Sequence, residues 1–211
     1  MNRNPRKHSS NSKVDRNNTD RLRQALADET AKIIALEGVR DYQRAKSKAC
    51  ERLGNSQHGS LPSNLEIEQA MSLYQQTFIP EHDEIIQAQR YAALEVMKWF
   101  EAYTPYLSGC VLEGTVSVNS IIHLHVSAET IEALLVELQA KKIPTEIRQR
   151  RLKLNNEFEF LPAICFEFQD YEFEVIVFSL RQQYQKPKSK SRNGSMQRIS
   201  LKKLELMLTE N

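Results

Sequence analysis

Gly109-Cys110-Val111-Leu112-Glu113-Gly114-Thr115-Val116-Ser117-Val118-Asn119-Ser120-Ile121-Ile122-His123-Leu124-His125-Val126 is the stretch on which the reading of this chain turns. It has the form of strand, glycine turn, strand. Gly114-Thr115 separates two apolar runs, and in the second run Ile122, Leu124 and Val126 alternate with Ile121, His123 and His125. One face is apolar. The other presents two imidazoles, about 7 Å apart because residues i and i+2 of a strand point the same way.

The downstream sequence supplies partners for that strand. Ser127 can cap a helix over Ala128 to Lys142, whose apolar Ile131, Leu134, Leu135 and Leu138 follow helical spacing, with Lys141 and Lys142 at its negative end. Ile143 to Leu154 reads as a basic edge strand carrying Arg148, Arg150, Arg151 and Lys153. Ala163 to Phe168 and Tyr171 to Phe178 read as a hairpin turning at Gln169-Asp170.

Upstream the periods are helical. A helix starts at the first-turn proline Pro80 and runs through Trp99 and Phe100 to a stop at Thr104-Pro105. Before it, Ser63 and Glu66 have capping-box spacing for a helix from about Asn64, and two further helices run from Asp20 to Gly38 and from Val39 to Leu53. Residues 1 to about 19 are polar and expected to be disordered. The expectation is an α+β chain: a disordered basic N-terminus (1–19), a helical region (20–84), a domain with a mixed sheet and flanking helices (85–180), and a basic tail with a short helix (181–211).

The chain has 211 residues, 40% of them hydrophobic, enough for one good core with a helical appendage. No apolar run is long enough to span a membrane and no signal peptide opens the chain, so a cytoplasmic protein with no membrane contact is expected. Cys50, Cys110 and Cys165 are odd in number and widely spaced, which reads as buried thiols. A formal net charge of +2 implies no polyanionic partner by itself, but the ends are basic: Lys186, Lys188, Lys190 and Arg192 precede Arg198, Lys202 and Lys203 with no acid until Glu205. There is no GxxxxGK[ST], HExxH or GxSxG, which leaves P-loop hydrolysis, the usual zinc protease and an esterase unsupported.

The quoted stretch resembles the signature of the polymerase-beta-type nucleotidyltransferase superfamily, in particular its small bacterial members, where a Gly-Ser or Gly-Thr turn leads to Asp-hydrophobic-Asp on a strand. Gly109, Gly114, Thr115, Ser120, Ile122, Leu124 and Val126 fall on that signature. Ile121 and His123 stand where the resemblance places the two metal-binding aspartates. Glu174, in Phe173-Glu174-Val175-Ile176-Val177, matches the third carboxylate on a late strand. The resemblance spans about residues 85–180 and implies a minimal nucleotidyltransferase-like fold, β-β-α-β-β-β, that has lost two of its three carboxylates. Nucleotidyl transfer needs those carboxylates to hold divalent ions.

These residues lean against an enzyme and towards a non-catalytic module that binds RNA or a nucleotide. Its ligand-binding candidates are Gly114, Thr115, Ser120, His123, His125 and Glu174, the turn offering backbone N–H groups to a phosphate. Its nucleic-acid candidates are Arg148, Arg150, Arg151, Lys153, Lys186, Lys188, Lys190 and Arg192, the last four on a flexible arm. No cofactor is expected. One alternative is an active enzyme using Glu174 and His123, or a divalent metal held by His123, His125 and Glu174 with Glu113 nearby. Another is an adaptor whose helices 20–78 bind a protein.

Overall fold

The computed structural model describes residues 9–39, 41–54, 61–78, 81–116, 120–189 and 194–210. Contacts divide the chain into two compact units, Met1–Tyr74 and Gln75–Asn211. The boundary therefore falls ahead of the expected 84/85, and segment 181–211 belongs to the second unit instead of forming a separate tail.

The first unit is built from α1 (Ser9–Glu37), α2 (Tyr42–Arg52) and most of α3 (Asn64–Phe78). α1 begins well before the expected Asp20, so the disorder expected through residue 19 holds for none of 9–19; residues 1–8 lie outside the described residues. The physical reason is visible in the sequence: no glycine or proline lies between Pro5 and Gly38, so nothing interrupts the helix as it extends back from its apolar half. Leu26, Ile33, Ala45, Ala49 and Ile67 are fully or almost fully buried together. The capping box forms as spaced: the Glu66 amide donates to Ser63 Oγ at 3.2 Å and the Ser63 amide to Glu66 Oε2 at 2.7 Å. Arg52 joins the hairpin by ion pairs to Glu29 (3.1 Å) and Glu37 (2.6 Å).

The second unit contains α4 (His82–Trp99), β1 (Tyr106–Ser108), α5 (Cys110–Glu113), β2 (Ile122–Ser127), α6 (Ile131–Ala140), β3 (Glu146–Leu154), β4 (Glu157–Phe168), β5 (Tyr171–Phe178), β6 (Arg198–Ser200) and α7 (Leu201–Thr209). Pro80, read as the first turn of α4, lies outside the described residues. The strands form one six-stranded sheet in the order β3-β4-β5-β2-β1-β6, with β2 and β5 parallel and all other neighbours antiparallel. The chain is thus α+β, with N-terminal helices followed by a mixed sheet flanked by helices. No helix among the described residues is long and apolar enough to cross a membrane.

Two-residue alternation sorts the sheet into unlike faces. Ile122, Leu124 and Val126 of β2, Phe173, Val175 and Val177 of β5, and Ile164 and Phe166 of β4 share a core with Val96, Met97 and Phe100, with Leu134 and Leu138 of α6, and with Leu204 and Leu208 of α7. The opposite face carries polar groups near β2 and a second cluster, Leu152, Leu154, Leu161, Ala163, Ile176 and Phe178.

Two expectations are corrected here. The first apolar run of the quoted stretch is a helical turn, not a strand. α5 starts directly after Gly109 and stops at Gly114, which takes a left-handed conformation (φ 73°), while the strand preceding the glycine turn is Tyr106–Ser108. The tail is not a flexible arm where it is described. After a 3-10 turn at Leu180–Gln182, Gln183 Nε2 donates to Thr104 Oγ1 (3.0 Å), the Lys188 amide to the Lys153 carbonyl (2.9 Å) and the Met196 amide to the Pro187 carbonyl (2.7 Å). These bonds fasten a strap from beside β1 to the β3 edge, and it then re-enters the sheet as β6.

Candidate functional site

The polar face of β2 and β5 is where the sequence-selected residues meet. Parallel register sets His123 beside Glu174 and His125 beside Ile176, and antiparallel register sets Ser108 of β1 beside His123 and Cys165 of β4 beside Glu174. Gly109 makes room for this: its φ is 77°, and a Cβ there would come within 3.1 Å of the His123 ring.

Glu174 is the centre of the face. Its side chain is only 2% exposed and has a partner at each oxygen: His123 Nδ1 lies 3.1 Å from Oε2, and Arg150 Nε donates to Oε1 at 2.5 Å. Burial pushes the Glu174 carboxyl up, but the hydrogen bonds and charges of His123 and Arg150 outweigh it and hold the group below the ordinary carboxylate range. Cys165 Sγ, 3.9 Å from Oε1, is kept as a thiol by burial and by the Glu174 charge, against the nearby arginines. Burial likewise pushes Cys110 up. Neither thiol is poised as a nucleophile at neutral pH.

His125 has a different environment from its neighbour two residues away. It is 1% exposed, its ring lies 5.0 Å from that of Phe178, and Nε2 is 3.2 Å from Ser108 Oγ, while Nδ1 is buried without a hydrogen-bond partner. Burial first, then the charges of Arg198 and His123, push its pKa down to about 3, so the imidazole is neutral.

The metal alternative is not assembled by this geometry. His123 turns to Glu174 and His125 turns to Ser108 and Phe178. Among the described residues no group of three or more His, Cys, Asp or Glu side chains is placed to hold a metal ion. No protein-family model matches the chain, and no curated protein matches it in sequence.

The glycine turn is also spent internally. The Gly114 and Thr115 amides both donate to the Cys110 carbonyl, so the expected phosphate contact at these two N–H groups is not available. α4 holds the turn from the other side: His82 Nε2 is 3.1 Å from the Gly114 carbonyl, and Arg90 donates to the Val111 and Leu112 carbonyls at 3.2 Å each. Ser120 sits beside Cys110, whose thiol it helps to stabilise as thiolate against the larger effect of burial.

The basic strand divides by alternation. Arg148 and Arg150 share the Glu174 face, Arg148 pairing with Glu146 at 2.6 and 2.9 Å, whereas Arg151 and Lys153 point to the other side. Lys186 and Lys188 are exposed, and Lys190 and Arg192 lie outside the described residues. Sequence reasoning missed Ser108 and Arg198 on the polar face and took Arg150 for a phosphate contact. The available signal was the Asn155-Asn156 dipeptide, whose positive φ values (47° and 73°) close the β3–β4 hairpin and bring Arg150 level with Leu161.

Removing Arg150 leaves a buried carboxylate with one partner fewer. Arg150→Met should cost about 1–3 kcal/mol, moderated because the guanidinium is 42% exposed and water reaches it, whereas Arg148→Met, losing an exposed pair, should leave stability nearly unchanged. Urea midpoints at constant m-value measure both; equal losses would mean that Glu174 does not depend on Arg150.

Proposed function

We propose that this chain is a non-catalytic nucleotidyltransferase-fold protein that binds RNA. The observation that carries the reading is the state of Glu174: the carboxylate matching the superfamily's third metal ligand is enclosed by the His123 imidazole and the Arg150 guanidinium, side-chain partners where the superfamily has divalent ions. Supporting it are the strand, helical turn and strand formed by β1, α5 and β2, and the parallel pairing of β2 with β5, which sets the residue at an aspartate position directly against Glu174. An isoleucine and an imidazole offer no anionic oxygen to a hard ion. Arg151 and Lys153 of β3 and the exposed Lys186 and Lys188 favour a polyanionic ligand on electrostatic grounds.

The purified chain should transfer no label from ATP, CTP, GTP or UTP to RNA, protein or a small acceptor with magnesium or manganese, and should bind RNA at low salt with an affinity that falls as salt rises. Label transfer that Glu174→Gln abolishes would overturn the non-catalytic reading. The double variant Ile121→Asp with His123→Asp should gain magnesium-dependent thermal stabilisation, because three carboxylates brought together repel until a divalent ion separates them. A double variant indifferent to magnesium would remove Ile121 and His123 from the ligand positions.

A further inference from the structure

The β3–β4 hairpin reaches past the rest of the sheet. β5 pairs with β4 only from Ala163 to Phe168, whereas β3 follows β4 out to the Leu154–Glu157 pair. One face of this arm is closed, with Leu152, Leu154 and Leu161 buried among Ile176 and Phe178. The other is covered at Ile164 and bare beyond it: Phe158 and Phe160 are 58% and 65% exposed. Register and alternation group Gln149, Arg151 and Lys153 with Phe158, Phe160 and Pro162 on the bare face, which gives two cations, two aromatic rings and no acid. The Arg151 guanidinium lies over the Phe158 ring, 3.9 Å from its centroid, with Lys153 Nζ at 5.8 Å.

Two chemistries are combined here. Cations without acids select a polyanion, and the exposed Phe160 ring and the planar Arg151–Phe158 stack select a partner with planar faces of its own. Phe158 and Phe160, two apart on one strand, present rings about 7 Å apart, a spacing suited to bases splayed from an extended strand. A duplex keeps its base faces closed and would use only the cations. We infer that this face of the β3–β4 arm is a stacking platform for single-stranded RNA. Phe160 and the Arg151–Phe158 pair each take a base, and Arg151 and Lys153 meet the adjoining phosphates. The inference rests on the RNA-binding reading above and gives it a surface and a strand class.

The test is fluorescence anisotropy of the full chain with labelled oligouridylate and with an RNA duplex of equal length, at several salt concentrations. Oligouridylate should bind tighter than duplex. Phe158→Ala and Phe160→Ala should each weaken it roughly tenfold with the salt slope unchanged, and Phe160→Tyr should retain it. Arg151→Gln and Lys153→Gln should each flatten the salt slope by about 0.7. Thermal melts should be unchanged in the two alanine variants, since both rings are exposed. If the wild-type chain binds oligouridylate and both alanine variants bind it equally well, the platform is overturned while RNA binding stands. Stronger binding of duplex overturns the platform too. A double alanine variant that turns a dimer into a monomer at unchanged RNA affinity would assign the surface to a second copy of the chain. No binding of either RNA by the wild type removes both readings.

Discussion

Truncating Leu134 to alanine should cost the second unit roughly 2–5 kcal/mol. Leu134 and Leu138 are fully buried on the inner side of α6, in one core with Val126, Val175 and Val177 of the sheet. Helices meet this core from several directions, so the surroundings cannot collapse far into the space a lost side chain leaves, and the cavity adds to the lost transfer energy. The same helix provides its own control. Val136 is 64% exposed, and Val136→Ala should stay within about 0.5 kcal/mol. Urea unfolding followed by a probe in the second unit, with unchanged m-value, reads both. A silent Leu134→Ala beside a costly Val136→Ala would place the wrong side of α6 against the sheet.

The second large effect is acid destabilisation through His125. Its folded pKa is about 3, against an ordinary value of 6.5, so between these limits the unfolded chain binds a proton that the folded one does not. Stability therefore rises with pH across this window and is lost as pH falls below 6.5, by about 1.4 kcal/mol per unit once the unfolded imidazole is fully protonated. From pH 6.5 down to 4.5 the loss should reach roughly 2–3 kcal/mol. Glu174 adds nothing in that interval. Its depressed pKa gives stability that is present above 4.5 and lost only as pH falls further through the folded value. His125→Gln keeps a hydrogen-bonding group for Ser108 and removes the titration, so its stability should be nearly flat over the same interval, whatever it loses at neutral pH in ring packing against Phe178. Equal slopes for the two proteins would mean that His125 is not held neutral by burial.

The parts of the fold that were legible in sequence are those where one local period decides the outcome. β5 is a short β-branched and aromatic run, and Gln169-Asp170 supplies two residues at positive φ (50° and 63°), so the turn of that hairpin falls where it was expected. The inner side of α6 and the Ser63–Glu66 cap were legible for the same reason. The polar face was legible only in part. His123, His125 and Glu174 could be assigned to a common side of their strands, but Arg150 reaches Glu174 across β4, through two registers that only the Asn155-Asn156 and Gln169-Asp170 turns read together specify. Cys110-Val111-Leu112 reads as strand by composition because a single helical turn is too short to show a helical period. The strap was misread for a different reason: its lysines describe a solvated surface, while backbone amides at Lys188 and Met196 tie it down, and backbone bonds leave no trace in composition.

The position of β6 has a consequence for how this unit comes into being. β6 lies against β1, which precedes it by about ninety residues, and the following α7 packs on α4, where Lys98 and Glu205 stand 3.4 Å apart. An emerging polypeptide can pair β3 with β4 and β4 with β5 as each leaves the ribosome, but one side of β1 has no neighbour until Arg198–Ser200 appears. Closure of that edge depends on contacts distant in sequence, which are slow to find because a long loop must first be ordered. Until then β1 is an open edge exposed to pairing with other chains.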